Sequence, residues 1–320
     1  MNPTSAPCAA VDVGSNTVRL LVVDADGHAL TRLVEITRLG RGVDATGLLD
    51  DQALADTLAV LATYRRAWES FSVGAVRIAA TSAVRDADDR DRFFEGVRDV
   101  TGHDAEVLTG GEEAALAFAG ARPVVADAGG PVLVVDIGGG STELIVGDAR
   151  PGAGAPTVTA AVSLQLGSVR LLERLLPSDP ATADELAAAR AEVRARLAQG
   201  TAVLRAGGAD VATVAAVVGV AGTVTTLAML HLGLPGWQDG AVHGSVLAAD
   251  DVAGLASRLC AMTAAQRRAL PGVPPGRADV IAAGAVILDE VARVVGTPRV
   301  IASESDILDG LAASLRAAAP

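Results

Sequence analysis

Lysine is missing from this 320-residue chain: all 26 basic residues are arginine, against 38 acidic ones, for a formal net charge of −12. Without lysine there is no Walker-A loop, whose Lys must reach the β- and γ-phosphates, and no Schiff-base or lysine-nucleophile chemistry. The acidic balance also argues against duplex nucleic acid as a partner, since that needs a basic footprint. Aromatic residues are scarce, at four Phe, two Trp and one Tyr, although half the chain is hydrophobic. The core therefore has to be built from Ala, Val, Leu and Ile. Two cysteines, Cys8 and Cys260, and four scattered histidines make no CxxC, HExxH or zinc-ribbon spacing. They read as reduced thiols of a cytoplasmic protein. The opening "MNPTSAPC" has neither a basic n-region nor an apolar h-region, so no signal peptide is expected.

One stretch raises the question of a membrane. Val211 to Trp237 carries no charged residue and is long enough to span a bilayer. Gly219, Gly222, Gly233 and Pro235 interrupt it, four threonines lie inside it, and no basic flank anchors it. A buried strand, a glycine turn and a helix are expected there, and no membrane partner.

The chain echoes itself. "AAVDVGSNTVRLLVVD" begins at Ala9 and "LVVDIGGGSTELIVGD" at Leu133. Each is an apolar strand, an Asp, a small polar turn and a second apolar strand. Asp12 and Asp136 are too far apart for a solenoid period, and two related α/β domains in tandem fit better. The boundary is expected near residues 121–131, and the Pro/Gly-rich 147–156 as a loop between strands. In the first half we expect a third strand in "HALTRLVEITRLG", a helix over 50–70, a strand "AVRIAATSAV", a helix over 88–100, a strand "AEVLTG" and a helix over 112–121. In the second half, "VTAAVSLQLGSVRLLERL" opens as a strand. Ser178-Asp179-Pro180 signals a long helix. Then come the strand "VAAVVGV", helices near 249–261 and 276–294, the strand "RVIAS" and a last helix.

Glycine-rich strand–turn–strand segments let backbone N–H groups point at an anion, because no Cβ blocks its approach. Ser141 and Thr142 add hydroxyls, and Asp136 at a strand end can hold a divalent cation or its water shell. Glu143 shares that position only if the second strand starts at once. "GVAGTVTT" (219–226) turns from strand to helix and offers free N–H groups. "ATSAVRDADDR" (80–90) places Thr81, Ser82 and Arg85 after a buried strand. Arg85 is suited to bidentate phosphate contact, or alternatively to an ion pair with Asp86, Asp88 or Asp89. "LTGGEEAALAFAGA" (108–121) puts Glu112 and Glu113 in a first helical turn. There one acidic side chain complements the helix dipole and a second is a candidate base for water.

Together these segments resemble the exopolyphosphatase / guanosine pentaphosphate phosphohydrolase family of the acetate kinase–sugar kinase–chaperone ATPase–actin superfamily. The matching motifs span nearly the whole chain: DVGSNTVRL (12–20), RLGRGV (38–43), ATSAVRDA (80–87), TGGEEA (109–114), DIGGGSTEL (136–144), GVAGT (219–223), HGS (243–245) and RADVIAAG (277–284). The resemblance implies two ribonuclease H-like (actin-like ATPase) domains, 1–125 and 126–320, with the site in an interdomain cleft. The last helix is a candidate to pack back on the first domain. It also implies a short form without a C-terminal helical domain.

Carried over by motif, Glu113 is the implied general base, and Asp136 and Glu143 are the acidic positions associated with Mg²⁺ and catalysis. Asp12 is the first loop's counterpart of Asp136 and a possible metal or water ligand. Gly14, Ser15 and Asn16 form the first phosphate loop, and Gly138, Gly139, Gly140, Ser141 and Thr142 the second. Arg85, Arg19, Gly222 and Thr223 join the phosphate contacts. The implied activity is Mg²⁺-dependent hydrolysis of terminal phosphoanhydride bonds of polyphosphate, with guanosine pentaphosphate as the alternative substrate and a homodimer as the usual assembly. From other classes, a small-molecule kinase and a non-catalytic polyphosphate or alarmone sensor remain alternatives.

The chain also departs from the family. Gly111 stands where Asn is common, Asp88-Asp89 replaces an Asn-type position, and "SESDILDG" (303–310) lacks an Arg that many members carry. The acidic total suits a short polyanion better than a long one.

Overall fold

Cys8–Val13 (β1) is apolar except for Asp12 and is buried at every position. Such a continuous apolar run belongs to a strand covered on both faces of its sheet. It pairs antiparallel with Thr17–Val23 (β2), which pairs in turn with Ala29–Ile36 (β3). After a short α1 (Val43–Thr46), α2 (Asp51–Ser70) begins where Asp50 caps it, its carboxylate accepting from Ala53 N. Next come β4 (Ala75–Ala80), α3 (Ser82–Asp86), α4 (Asp91–Thr101), β5 (Ala105–Val107) and α5 (Gly110–Val125). The sheet order is β3-β2-β1-β4-β5, with β4 and β5 joining in parallel.

This computed structural model describes residues 6–125, 129–148 and 157–317. The chain divides into two units, Met1–Gly120 with Ile307–Pro320, and Ala121–Asp306. The last helix, α12 (Ile307–Ala317), packs on β1, β2 and β4 of the first unit. Arg32 Nη2 donates to Asp309 Oδ1 at 2.5 Å and Arg77 Nη1 to Ser314 Oγ at 2.6 Å. Most of the chain's few aromatics serve this unit: Tyr64, Trp68 and Phe93 are buried together in its core.

The second unit repeats the opening. Val132–Ile137 (β6), Thr142–Asp148 (β7) and Thr157–Leu164 (β8) form an antiparallel meander. They are followed by α6 (Ser168–Leu175), α7 (Ala183–Ala206), β9 (Ala216–Val220), α8 (Ala221–Leu232), β10 (Val246–Ala248), α9 (Ala249–Cys260), α10 (Ala264–Arg268), α11 (Ile281–Val295) and β11 (Arg299–Ala302). Sheet order is β10-β11-β9-β6-β7-β8. Its core cluster is aliphatic, with no aromatic side chain among the described residues. Ile281 to Ala292 of α11 are all buried, and the two carboxylates in that run, Asp289 and Glu290, are both met by Arg190 Nη1 at 2.6 Å.

Several expectations need correction. "AVRIAATSAV" is not one strand: β4 stops at Ala80, and Ser82–Asp86 turns into a helix. The long helix does follow Ser178-Asp179-Pro180, over Ala183–Ala206. Thr182 caps it in a capping box with Glu185, and Ser178 Oγ reaches the same carboxylate at 2.7 Å. β10 was not foreseen. The uncharged 211–237 stretch resolves into a short 3₁₀ turn, β9, α8 and loop, and among the described residues no helix is long and apolar enough to cross a membrane. Residues 126–128 of the expected boundary and 149–156 of the expected loop lie outside the described residues.

Candidate active site

In the first unit the turn after β1 is closed by Gly14 N donating to Thr17 O at 2.9 Å. The RLGRGV motif braces this turn from behind. Thr37 N and Arg38 N both donate to Asn16 O, and Gly40 N donates to Ser15 O at 2.8 Å. A Cβ on Gly40 would stand 2.7 Å from Ser15 Cβ, so only glycine permits that approach. Ser15 Oγ meets Ser82 Oγ at 2.9 Å, which joins the turn to the start of α3. Asn16 Oδ1 is buried and without a hydrogen-bond partner.

α3 carries Arg85, and α5 carries the glutamate pair. The two glutamates have separate work. Glu112 closes a capping box: its Oε2 accepts from Thr109 N at 2.9 Å and Thr109 Oγ at 2.8 Å, and Thr109 Oγ accepts from Glu112 N. Those bonds hold its carboxyl below the usual range. Glu113 is only 6% exposed and takes Arg85 Nη1 on Oε2 at 3.0 Å. Burial pushes its carboxyl up to about 7, against the opposing pull of Arg85, with Asp12 adding to the rise. Arg85 does not pair with Asp86, Asp88 or Asp89. Both its bonds, to Glu113 and to Leu108 O, leave from Nη1.

The second loop is built differently. Gly138 N donates to Ser141 O, and the carbonyls of Gly138 and Gly139 accept from Ser168 N and Val169 N in the first turn of α6. Arg170 Nε donates to Gly140 O at 2.8 Å. A Cβ on Gly167 would collide with Gly139 O. The bonds from Ser168 N, Val169 N and Arg170 Nε fix the loop against the first turn of α6. Thr142 is fully buried and its hydroxyl donates to Leu166 O at 2.5 Å, so that proton holds the loop. Ser141 is buried beside it.

The two echoed hairpins differ in their charged cross-strand pair. In the first unit Asp12 stands opposite Arg19, whose Nε and Nη2 reach Asp12 Oδ2 at 2.9 and 2.6 Å. In the second, Asp136 stands opposite Glu143. β7 starts at Thr142, so Glu143 shares the face of Asp136, and both are buried, at 6% and 1% exposure. Side chains directly opposite on antiparallel strands are neighbours, and two carboxylates so placed repel. An all-oxygen pair of this kind suits a hard divalent cation, for Mg²⁺ is commonly held by one or two carboxylates plus substrate phosphate oxygens. Asp136 and Glu143 therefore fit such an ion. Asp12, the third residue expected at such an ion, takes both Arg19 bonds on Oδ2. The exposed β2–β3 turn also gathers Asp24, Asp26 and His28, but there Asp24 Oδ1 accepts from Asp26 N and His28 N within the turn.

GVAGT passes from β9 into α8 through Ala221 at φ 64°, a backbone conformation that a residue with a Cβ rarely adopts. Gly222 lies directly under the Arg277 guanidinium, which occupies the space a side chain would need. Thr223 Oγ donates to Ile137 O at 3.3 Å, tying α8 to the end of β6. Gly284 makes room for Thr223. Sequence reasoning left out Arg170, Arg277, Ser163 and Glu304 as side chains that shape this unit. Glu304 accepts from Gly240 N, Val242 N and His243 N, which ties the start of the HGS motif to the segment after β11. The signals were present, in RADVIAAG and in the run LQLGSVR, but their partners are distant in sequence.

Two repeated β-β-β-led α/β units, each with a small-residue turn after an Asp-bearing strand, define the two-domain actin-like ATPase fold. The Ppx/GppA phosphatase family model matches residues 21–316, and the chain belongs to that family. It is thereby a hydrolase acting on phosphoanhydrides. The protein named Exopolyphosphatase 2 of Mycobacterium tuberculosis is 42% identical over 323 residues, covering 96% of this chain and 98% of its own. Among solved structures, one described as an exopolyphosphatase-like protein superposes with a TM-score of 0.90 at 34% identity, with 98% of each chain covered. The Aquifex aeolicus member of the Ppx/GppA family gives 0.77 at 28%, covering 98% of this chain and 99% of the other.

Proposed function

We propose that the protein is an exopolyphosphatase that removes terminal phosphate from inorganic polyphosphate, of short chain length, with Glu113 as the general base and Asp136 and Glu143 as divalent-cation ligands. One observation carries the base assignment: a buried glutamate, pushed up to about 7, at the start of a helix whose other glutamate is occupied as a cap. A base with its pKa near the working pH combines a useful ionised fraction with enough basicity to take a proton from water. The relative at 42% identity supports polyphosphate as the substrate.

In this mechanism Glu113 accepts the proton of the attacking water at its carboxylate. Arg85 keeps that carboxylate oriented through Nη1 and offers Nη2 and Nε to a phosphoryl oxygen. In the second unit the backbone of Gly138–Ser141, fixed by α6, offers N–H groups to phosphate oxygens with Thr223 nearby in GVAGT, and in the first unit Ser15 and Asn16 are the polar groups offered. A divalent cation would supply neutralisation of the charge developing on the transferred group. Because phosphoryl transfer is catalysed mainly by positioning and electrostatics, rigid loops serve it better than mobile ones. The acidic surface disfavours a long polyanion.

The test is phosphate release measured in parallel on short polyphosphate, long polyphosphate, guanosine pentaphosphate and ATP, with Mg²⁺ and with chelator. Fastest Mg²⁺-dependent release from short polyphosphate is expected. Preference for guanosine pentaphosphate would move the assignment to the other branch of the family. Tight binding of polyphosphate with no release would make the chain a sensor, and ATP consumption only with an acceptor present would make it a kinase.

A further inference from the structure

Asp136, Glu143 and Ser163 stand in one row across β6, β7 and β8. The register pairs Asp136 with Glu143 and Glu143 with Ser163, which places all three on the same face of the sheet. Ser163 Oγ donates to Glu143 Oε1 at 2.7 Å. The same row in the first unit reads Asp12, Arg19 and Val34. There an arginine answers the aspartate, and the third position has no hydrogen-bonding group. The hydroxyl thus accompanies the carboxylate pair and is absent where the pair is an ion pair.

We propose that Ser163 is a positioning residue that, by holding Glu143 Oε1, fixes the place of the Glu143 carboxylate beside Asp136 for a divalent cation. The proposal rests on the cation role given above to Asp136 and Glu143. A glutamate has three side-chain torsions, and a charge-assisted hydrogen bond of this length at Oε1 restricts where its carboxylate can point. Groups that orient metal ligands in this way typically affect metal affinity 10–100-fold on removal.

The test uses Ser163→Thr and Ser163→Val, two side chains of nearly the same shape that differ in the hydroxyl and both suit a strand. Mn²⁺ binding to the substrate-free full chain is followed by electron paramagnetic resonance and calorimetry. Binding weakened about 10-fold or more in Ser163→Val and near wild type in Ser163→Thr is expected. In turnover, the Mg²⁺ concentration for half-maximal phosphate release should rise in Ser163→Val, while kcat at saturating Mg²⁺ changes less. Equal Mn²⁺ affinity in the two variants overturns the proposal and leaves the cation role of the carboxylates standing. A wild-type chain that binds no Mn²⁺ overturns both. Hydroxyl-dependent Mn²⁺ binding without phosphate release from polyphosphate supports the positioning role and removes the exopolyphosphatase reading alone.

Discussion

Glu113 takes a 3.0 Å hydrogen bond from Arg85, yet burial holds its carboxyl near 7. Desolvation outweighs the attraction of the neighbouring cation, which is the balance a general base needs. The activity of the wild-type enzyme should follow it: kcat/KM should rise with unit slope below about pH 7 and level off above. Glu113→Gln should lose the base, at a cost of about a hundred- to ten-thousand-fold in phosphate release. Near-wild-type turnover by that variant would falsify the assignment.

The same shift has a stability consequence of opposite sign. A carboxyl with its folded-state pKa raised above 4.5 favours the folded state fully below pH 4.5, and that contribution is lost as pH rises through about 7. A rise of this size corresponds to something on the order of 3 kcal/mol. Glu113→Gln carries no such titration. Its Tm relative to wild type should therefore increase between pH 5 and 8, as measured by calorimetry at constant ionic strength. A Tm difference that stays flat with pH would mean that Glu113 titrates normally in the folded chain.

Arg85 lowers the pKa of Glu113, so its removal should raise that pKa further. In Arg85→Gln the acidic limb of the rate profile should move to higher pH and KM should rise with the lost phosphate contact. A rise in KM with an unmoved limb would show that Arg85 binds substrate without influencing the base.

How much of this was readable beforehand depended on range. The strands ending at Asp12 and Asp136 are uninterrupted apolar runs, and the helix over 50–70 announces itself through Asp50 and its periodicity, so local pattern sufficed. "AVRIAATSAV" misled because small apolar residues suit a buried strand and a short helix equally. β10, at three residues, is too short for any period to show. Glu113 was legible as a motif position, but not its burial or its pairing with Arg85, 28 residues away. The contrast between Asp12–Arg19 and Asp136–Glu143 needed only the hairpin register to be seen, whereas Ser163 needed a third strand.

Replacing one member of that carboxylate pair tests the cation site. Glu143→Gln keeps the shape of the side chain and an oxygen for Ser163 while removing one of the two charges that would hold the cation. Saturating Mg²⁺ should raise the wild-type Tm, since a ligand at a hundred times its Kd adds about 2.7 kcal/mol. That Mg²⁺-induced rise should vanish in Glu143→Gln, along with phosphate release. An undiminished rise would place the cation elsewhere.

Two glycines of the second unit should respond to alanine in opposite ways, though neither has a positive φ. At Gly167 the new Cβ meets the backbone of Gly139 and Gly140, which α6 holds in place, so α6 and the loop must separate. Gly167→Ala should lose about 1–3 kcal/mol of stability, as overpacking usually does, and KM should rise as the loop N–H groups shift. At Gly222 the obstacle is the tip of the Arg277 side chain, which can swing aside. Gly222→Ala should keep Tm near wild type. If the role of Arg277 is only to cover Gly222, KM should also be unchanged; if its guanidinium contributes to phosphate binding, KM should rise at constant Tm. A large fall in Tm for Gly222→Ala would instead make Arg277 part of the structural core, and chemical denaturation of both variants beside steady-state kinetics separates these outcomes.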